Sequence, residues 1–155
     1  MHPLVITGLR ASLAVIALGA LAAQLLIVAI TGGALVRGEL PGPGVFHSAA
    51  AIVVIACLQV ALVAIWVLLS MVQRGAIFDE RAFRWVRVIA VAGLVAAVIV
   101  GVVCAHIGEL DDAPGLILVG GGIGLVGVAF ALLMTVMLGL LRNATVLRHE
   151  LEEVV

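Results

Sequence analysis

The 155 residues are 65% hydrophobic and 11% charged, with a mean hydropathy of +1.40. Globular domains run near half apolar and a quarter charged, so a water-soluble fold is excluded and most apolar surface is expected to face lipid tails. The formal net charge of -1 provides no broad basic field for direct nucleic-acid binding.

One membrane domain over 1–155 is expected: an all-α bundle of four transmembrane helices, with spans near 11–30, 46–72, 86–107 and 115–141 and a cytosolic tail over 142–155. The first run, about 20 residues at 1.5 Å each, just crosses a hydrocarbon layer of about 30 Å. Arg10 before it, and Ala20 and Ala22 within it, mimic a secretory signal. The run exceeds the usual h-region of about 7 to 15 residues, which favours an uncleaved helix.

The next stretch, TGGALVRGELPGPG over 31–44, contains two prolines and five glycines. Such a composition predicts a loop outside the bilayer. The second and third runs are separated by a basic segment, and the third and fourth by GELDDAPG, with Glu109, Asp111, Asp112 and no base. All eight basic residues are arginines. Arg10, Arg74, Arg81, Arg84, Arg87, Arg142 and Arg148 fall on one side of this plan, and Arg37 alone on the other. Retention of positive loops in the cytoplasm then predicts a multi-pass protein of the cell membrane with both termini on the cytoplasmic side.

The span interiors lack Asp, Glu, Lys and Arg, which weighs against an ion-coupled pump or transporter. Gln24 and Gln59 lie roughly 20 Å from the arginine side along their helices and can hydrogen-bond to each other. Helix packing is the plainer role for the pair, and ligand binding the sharper one. Gly93, Ala97, Gly101 and Ala105 recur every fourth residue, and Gly120 and Gly124 repeat the spacing in the last span. These small stripes predict close helix approach within the bundle, with homodimerisation as the lesser reading.

Gly122, Gly124 and Gly127 match G-x-G-x-x-G formally, but inside a long apolar run with no preceding strand and no acidic residue about twenty positions later. Dinucleotide binding is rejected. Cys57 and Cys104 sit in apolar runs and read as small packing residues rather than a disulfide. His47 and His106 fall near the external ends of neighbouring antiparallel helices, where they are weak candidates for a metal or haem. Solvated or carbonyl-bonded imidazoles are the commoner outcome, so neither a metal nor a cofactor is expected.

The internal segment RGAIFDERAFRWVR concentrates the polar features. Gly75 permits a sharp exit from the second helix, Asp79 can cap the third, and Arg81, Arg84 and Arg87 recur every third residue. Phe78, Phe83 and Trp85 suit the headgroup layer. Ordinary positive-inside anchoring explains such a collar, and contact with anionic lipid or an acidic partner is the functional alternative. In the tail, Leu140, Ala144, Leu147, Leu151 and Val154 are spaced four, three, four and three residues apart, forming one apolar stripe on a helix.

Arg74, Gly75, Phe78, Arg84 and Arg87, together with LLRNATVLRHELEEVV at the end, resemble the bacterial family called domain of unknown function 2975. The resemblance extends over nearly the whole chain and implies a four-span plan with a leucine-rich, acidic C-terminal segment. Many relatives end on an acidic residue followed by Leu-Thr-Ile, whereas this chain ends Leu151, Glu152, Glu153, Val154, Val155. Some family genes adjoin a small helix-turn-helix regulator, which implies a membrane partner of a cytosolic repressor.

No nucleophile and base, paired carboxylates or metal cluster has a workable spacing, so an enzyme is not expected. The leading expectation is a scaffold or regulatory membrane protein that contacts lipid and a cytosolic protein through Arg74, Phe78, Arg81, Arg84, Arg87, Leu147 and Leu151. The alternative is a small-molecule binder or transporter using the bundle interior around Gln24 and Gln59.

Overall fold

The computed structural model describes residues 3–39, 42–73 and 80–152. Four helices occupy almost all of them: α1 Pro3–Val36, α2 Gly42–Gln73, α3 Glu80–Leu110 and α4 Pro114–Glu152. Within these, Ile6–Val36, Gly42–Met71, Ala82–Leu110 and Pro114–Leu141 are each long and apolar enough to cross a membrane. Hydrocarbon offers no water to the backbone, so every N–H and C=O must be satisfied inside the segment, and the helix does this. At 1.5 Å per residue the segments are about 42 to 46 Å long, so their ends reach the headgroup layers or their axes tilt.

The expected loop over 31–44 is shorter than its composition suggests. Helix α1 continues through Thr31, Gly32 and Gly33 to Val36, and α2 already begins at Gly42. Glycine costs a helix roughly 1 kcal/mol relative to alanine, less than the several kcal/mol of an unsatisfied backbone group in lipid. Pro43 is tolerated because it falls in the first turn of α2, where its missing N–H leaves no bond unmade.

Both described turns use the same device. The Gly38 N–H donates to the Leu35 carbonyl at 3.1 Å and the Glu39 N–H to the Ala34 carbonyl at 3.0 Å, with Gly38 at φ +69°. This pair of bonds is a Schellman cap, which requires a left-handed residue and favours glycine. At the end of α3 the Ala113 N–H donates to the Gly108 carbonyl at 2.9 Å, and Asp112 takes the left-handed position at φ 51°. Short acidic and amide side chains tolerate that region best after glycine. Pro114 then opens α4.

Neighbouring helices are antiparallel: the start of α1 meets the end of α2 at Arg10 and Gln73, the start of α2 meets the end of α3 at Phe46 and His106, and α3 meets α4 at Gly93 with Phe130 and Gly108 with Ile117. Contacts run only between successive helices; among the described residues α1 touches neither α3 nor α4. The bundle is thus an open row.

The tightest seam is α3 with α4. An alanine methyl at Gly101 would sit 3.0 Å from the Gly120 carbonyl oxygen, and one at Gly120 would sit 2.8 Å from the Gly101 carbonyl oxygen. A methyl at Gly127 would collide with Ala97 Cβ. Lipid tails are as apolar as leucine, so helices associate in membranes through close van der Waals contact, and small residues bring the backbones near.

Few side chains are buried: Leu13, Leu62, Ala64, Ala90 and Ala92 form the hydrophobic core of the described residues. Leu18, Leu118 and Leu125 are each about 70% exposed (69%, 78% and 72%) on the outer faces. Apolar exposure on this scale suits lipid, not water. The architecture is that of a multi-pass membrane protein with four spans.

Candidate functional site

The antiparallel order gathers Arg10, Gln73, Arg84 and Arg87 at one end of the bundle, and Arg37, Glu39, His47, His106, Asp111 and Asp112 at the other. At the first end, the half-buried Arg10 of α1 donates from Nη2 to Oε1 of Gln73 at 2.7 Å. Its guanidinium also lies 5.6 Å from the ring centroid of Trp66, within cation–π range. Its Nε is shielded from solvent with no partner among the described residues. These contacts tie α1 to α2, and sequence reasoning missed them by reading Arg10 as a positive-inside flank. A pairing of α1 and α2 in antiparallel register would have placed Gln73 beside it.

Arg84 and Arg87 line a cleft of about 530 Å³ between α3 and α4. Phe83 flanks its mouth, Ala90, Val91 and Leu94 continue the α3 wall, and Thr135, Leu138 and Gly139 supply the α4 wall. The lining is polar at the arginines and apolar below them. Both arginines are exposed, and neither has a carboxylate partner among the described residues. The Thr135 hydroxyl donates to the Ala131 carbonyl of its own helix at 2.8 Å, which leaves the guanidiniums as the cleft's free donors among the described residues. Arg84 and Arg87 were expected contact residues, whereas Thr135, Leu138 and Gly139 were not visible as their neighbours. Arg74 and Phe78 lie outside the described residues, as do the side chains of Arg81, Leu147 and Leu151.

In the middle of the membrane, the Gln24 side-chain amide donates to the Ile52 carbonyl of α2 at 3.3 Å. No hydrogen bond joins it to Gln59. Ile52 precedes Gln59 by seven residues, roughly 10 Å along α2, and its carbonyl has a second lone pair that the Gln24 amide reaches first. Along α3 and α4, Gly93 and Ala97 lie against Phe130 and Gly127. Gly101 lies against Gly120, while a Cβ at Gly124 would meet nothing within 4 Å. Gly93 and Ala97 also border a second, apolar cleft of about 550 Å³, closed on the α4 side by Val126 and Phe130.

At the opposite end His47 and His106 come together, their ring centroids 5.4 Å apart and their planes at 50°. Phe46 meets both edge-on, at 5.7 Å from His47 and 5.6 Å from His106. His47 Nε2 is shielded from solvent with no partner among the described residues. Two imidazoles fall short of the three or four protein ligands of a zinc site, and no group of three or more His, Cys, Asp or Glu is placed to hold a metal among the described residues. The cluster joins α2 to α3 through ring contacts. Cys57 and Cys104 are half-buried free thiols.

Comparison with curated proteins and with solved structures returned no match. A family profile described as "Protein of unknown function (DUF2975)" matches residues 11–155, from the first span through the tail. With that match covering nearly all of four apolar antiparallel helices, the chain belongs to the DUF2975 family.

Proposed function

We propose that this is a non-enzymatic protein of the cell membrane, with both termini cytoplasmic, that holds a cytosolic protein at its arginine-bearing end. The observation that carries the reading is the overhang of α4. Gly101 opposes Gly120, Gly93 opposes Phe130 and Gly108 opposes Ile117. Continued one for one, this register sets Glu80, the first residue of α3, level with about residues 141–145 of α4. Helix α4 nevertheless runs to Glu152. Roughly 10 to 15 Å of it extends past the start of α3.

In sequence this segment has Ala144, Leu147 and Leu151 at helical spacing, with Arg148 and Glu152 between and after them. An amphipathic helix of this kind can lie in a partner's groove or against its own loop. The arginine excess at the same end supports cytoplasmic placement through the positive-inside rule. The partner proposed for this segment is a small helix-turn-helix regulator. Transport or small-molecule binding around Gln24 and Gln59 has less support, because Gln24 is engaged by Ile52 and both clefts lie along α3 and α4.

The test is co-purification from native membranes, comparing the full chain with a variant ending after Leu141. The full chain is expected to recover a cytosolic protein that the shortened chain loses. Equal recovery by both chains, or none by either, would sink the proposal.

A further inference from the structure

The cleft between α3 and α4 points to a second binding property, independent of any cytosolic partner. It runs along α3 from Phe83 to Leu94, eleven residues or roughly 16 Å. Arg84 and Arg87 are three residues apart, so they share one helix face with Cβ atoms about 5 to 6 Å apart. Both are exposed at the mouth and without a carboxylate among the described residues. Leu138 stands level with the arginines, and deeper in the walls are Ala90, Val91 and Leu94 facing Ala131. A Cβ at Gly139 would meet nothing within 4 Å, so this position leaves the α4 side open.

We propose that this cleft is a binding site for one anionic phospholipid, with its phosphate held by Arg84 and Arg87 and its acyl chain lying on the apolar walls. The reasoning is charge and polarity in sequence along one groove. A guanidinium fork matches phosphate oxygens bidentately and keeps its charge at any physiological pH. Two such forks at the headgroup level, with no competing carboxylate among the described residues, attract a phosphodiester. The apolar walls directly below continue to hydrocarbon depth, where an acidic protein side chain or a free phosphate gains nothing. A lipid that carries both charge and chain satisfies both halves of the cleft at once.

The experiment uses the full-length protein reconstituted in bilayer discs containing phosphatidylglycerol and phosphatidylcholine in equal amounts, with native mass spectrometry of the lipid that stays bound. One phosphatidylglycerol should remain in preference to phosphatidylcholine by roughly thirtyfold, the effect of two arginines at the membrane surface. Arg84→Gln with Arg87→Gln should bring that preference close to one, while Arg37→Gln at the opposite end should leave it unchanged. Unchanged preference in the double variant overturns the proposal, as does an equal loss in Arg37→Gln, which would mark a general charge effect. Displacement of the lipid by soluble glycerol phosphate also overturns it, since the site would then be taking phosphate alone. If the double variant fails to fold, Gly139→Leu decides: it keeps both charges and fills the groove, so loss of the retained lipid supports the site and full retention overturns it. None of these readouts depends on a cytosolic partner, so this site and the tail's docking role stand or fall separately.

Discussion

Replacing Gly120 with alanine places a methyl 2.7 Å from Cys104 Cβ and 2.8 Å from the Gly101 carbonyl oxygen. Carbon atoms pack best at about 3.5 to 4.0 Å, so α3 and α4 must separate by about 1 Å at this level. The obstacle is backbone on one side and a Cβ on the other, neither of which a rotamer change can move. Overpacking of this kind costs about 1 to 3 kcal/mol, against a gain of at most about 1 kcal/mol from the better helix propensity of alanine. Gly120→Ala is therefore expected to destabilise the fold by about 1 to 2 kcal/mol. Gly121→Ala makes the same chemical change one residue away, where a Cβ meets nothing within 4 Å, and should be neutral or slightly stabilising. Reversible unfolding in mixed micelles, followed by tryptophan fluorescence, measures both. Equal midpoints for the two variants, or an unaffected Gly120→Ala, would refute the seam as described.

The same seam predicts a rescue: Gly127→Ala should destabilise because its methyl meets Ala97 Cβ, and adding Ala97→Gly should restore much of the loss, a non-additivity that a double-mutant cycle reads directly. Arg10→Ala and Gln73→Ala should each loosen α1 from α2, with the double variant no worse than Arg10→Ala, as judged by hydrogen exchange along α1. At the two turns, Gly38→Val should cost about 1 to 2 kcal/mol and Asp112→Val a similar amount, while Asp112→Gly is tolerated, because each position is left-handed; unfolding midpoints check the order. His47→Phe with His106→Phe should preserve folding if the cluster acts through ring contacts, and a collapse of the detergent-solubilised protein would count against that role.

Local pattern made the four spans, their order and the family resemblance legible. Apolar runs of sufficient length have one backbone solution in lipid, so α1 to α4 follow from composition alone. The limits of α1 and α2 did not follow, because Thr31, Gly32 and Gly33 look like loop residues in water yet remain helical where an unpaired backbone is costlier than a glycine. The candidate site was legible in half. Arg84 and Arg87 stood out by charge and spacing, but Thr135, Leu138 and Gly139 are unremarkable residues in an apolar helix and acquire meaning only as the opposite wall. Gln24 shows a similar limit. A polar group in a span predicts a hydrogen bond, yet the acceptor is a backbone carbonyl, which every residue possesses and no pattern singles out.

By itself the sequence determined that the chain forms four apolar helices, that charge gathers toward one end of them, and that Gly93, Ala97 and Gly101 share a face. These are properties of hydropathy and of a 3.6-residue period, and each belongs to a single segment. Only the tertiary structure decided that this face meets Gly120, Gly127 and Phe130, that among the described residues α1 packs on α2 alone, and that two arginines without a described carboxylate partner open onto a groove. Those outcomes depend on the rotation and sliding of one helix against another. In lipid, small differences in close packing set that register, because the hydrophobic effect no longer distinguishes one apolar face from the next.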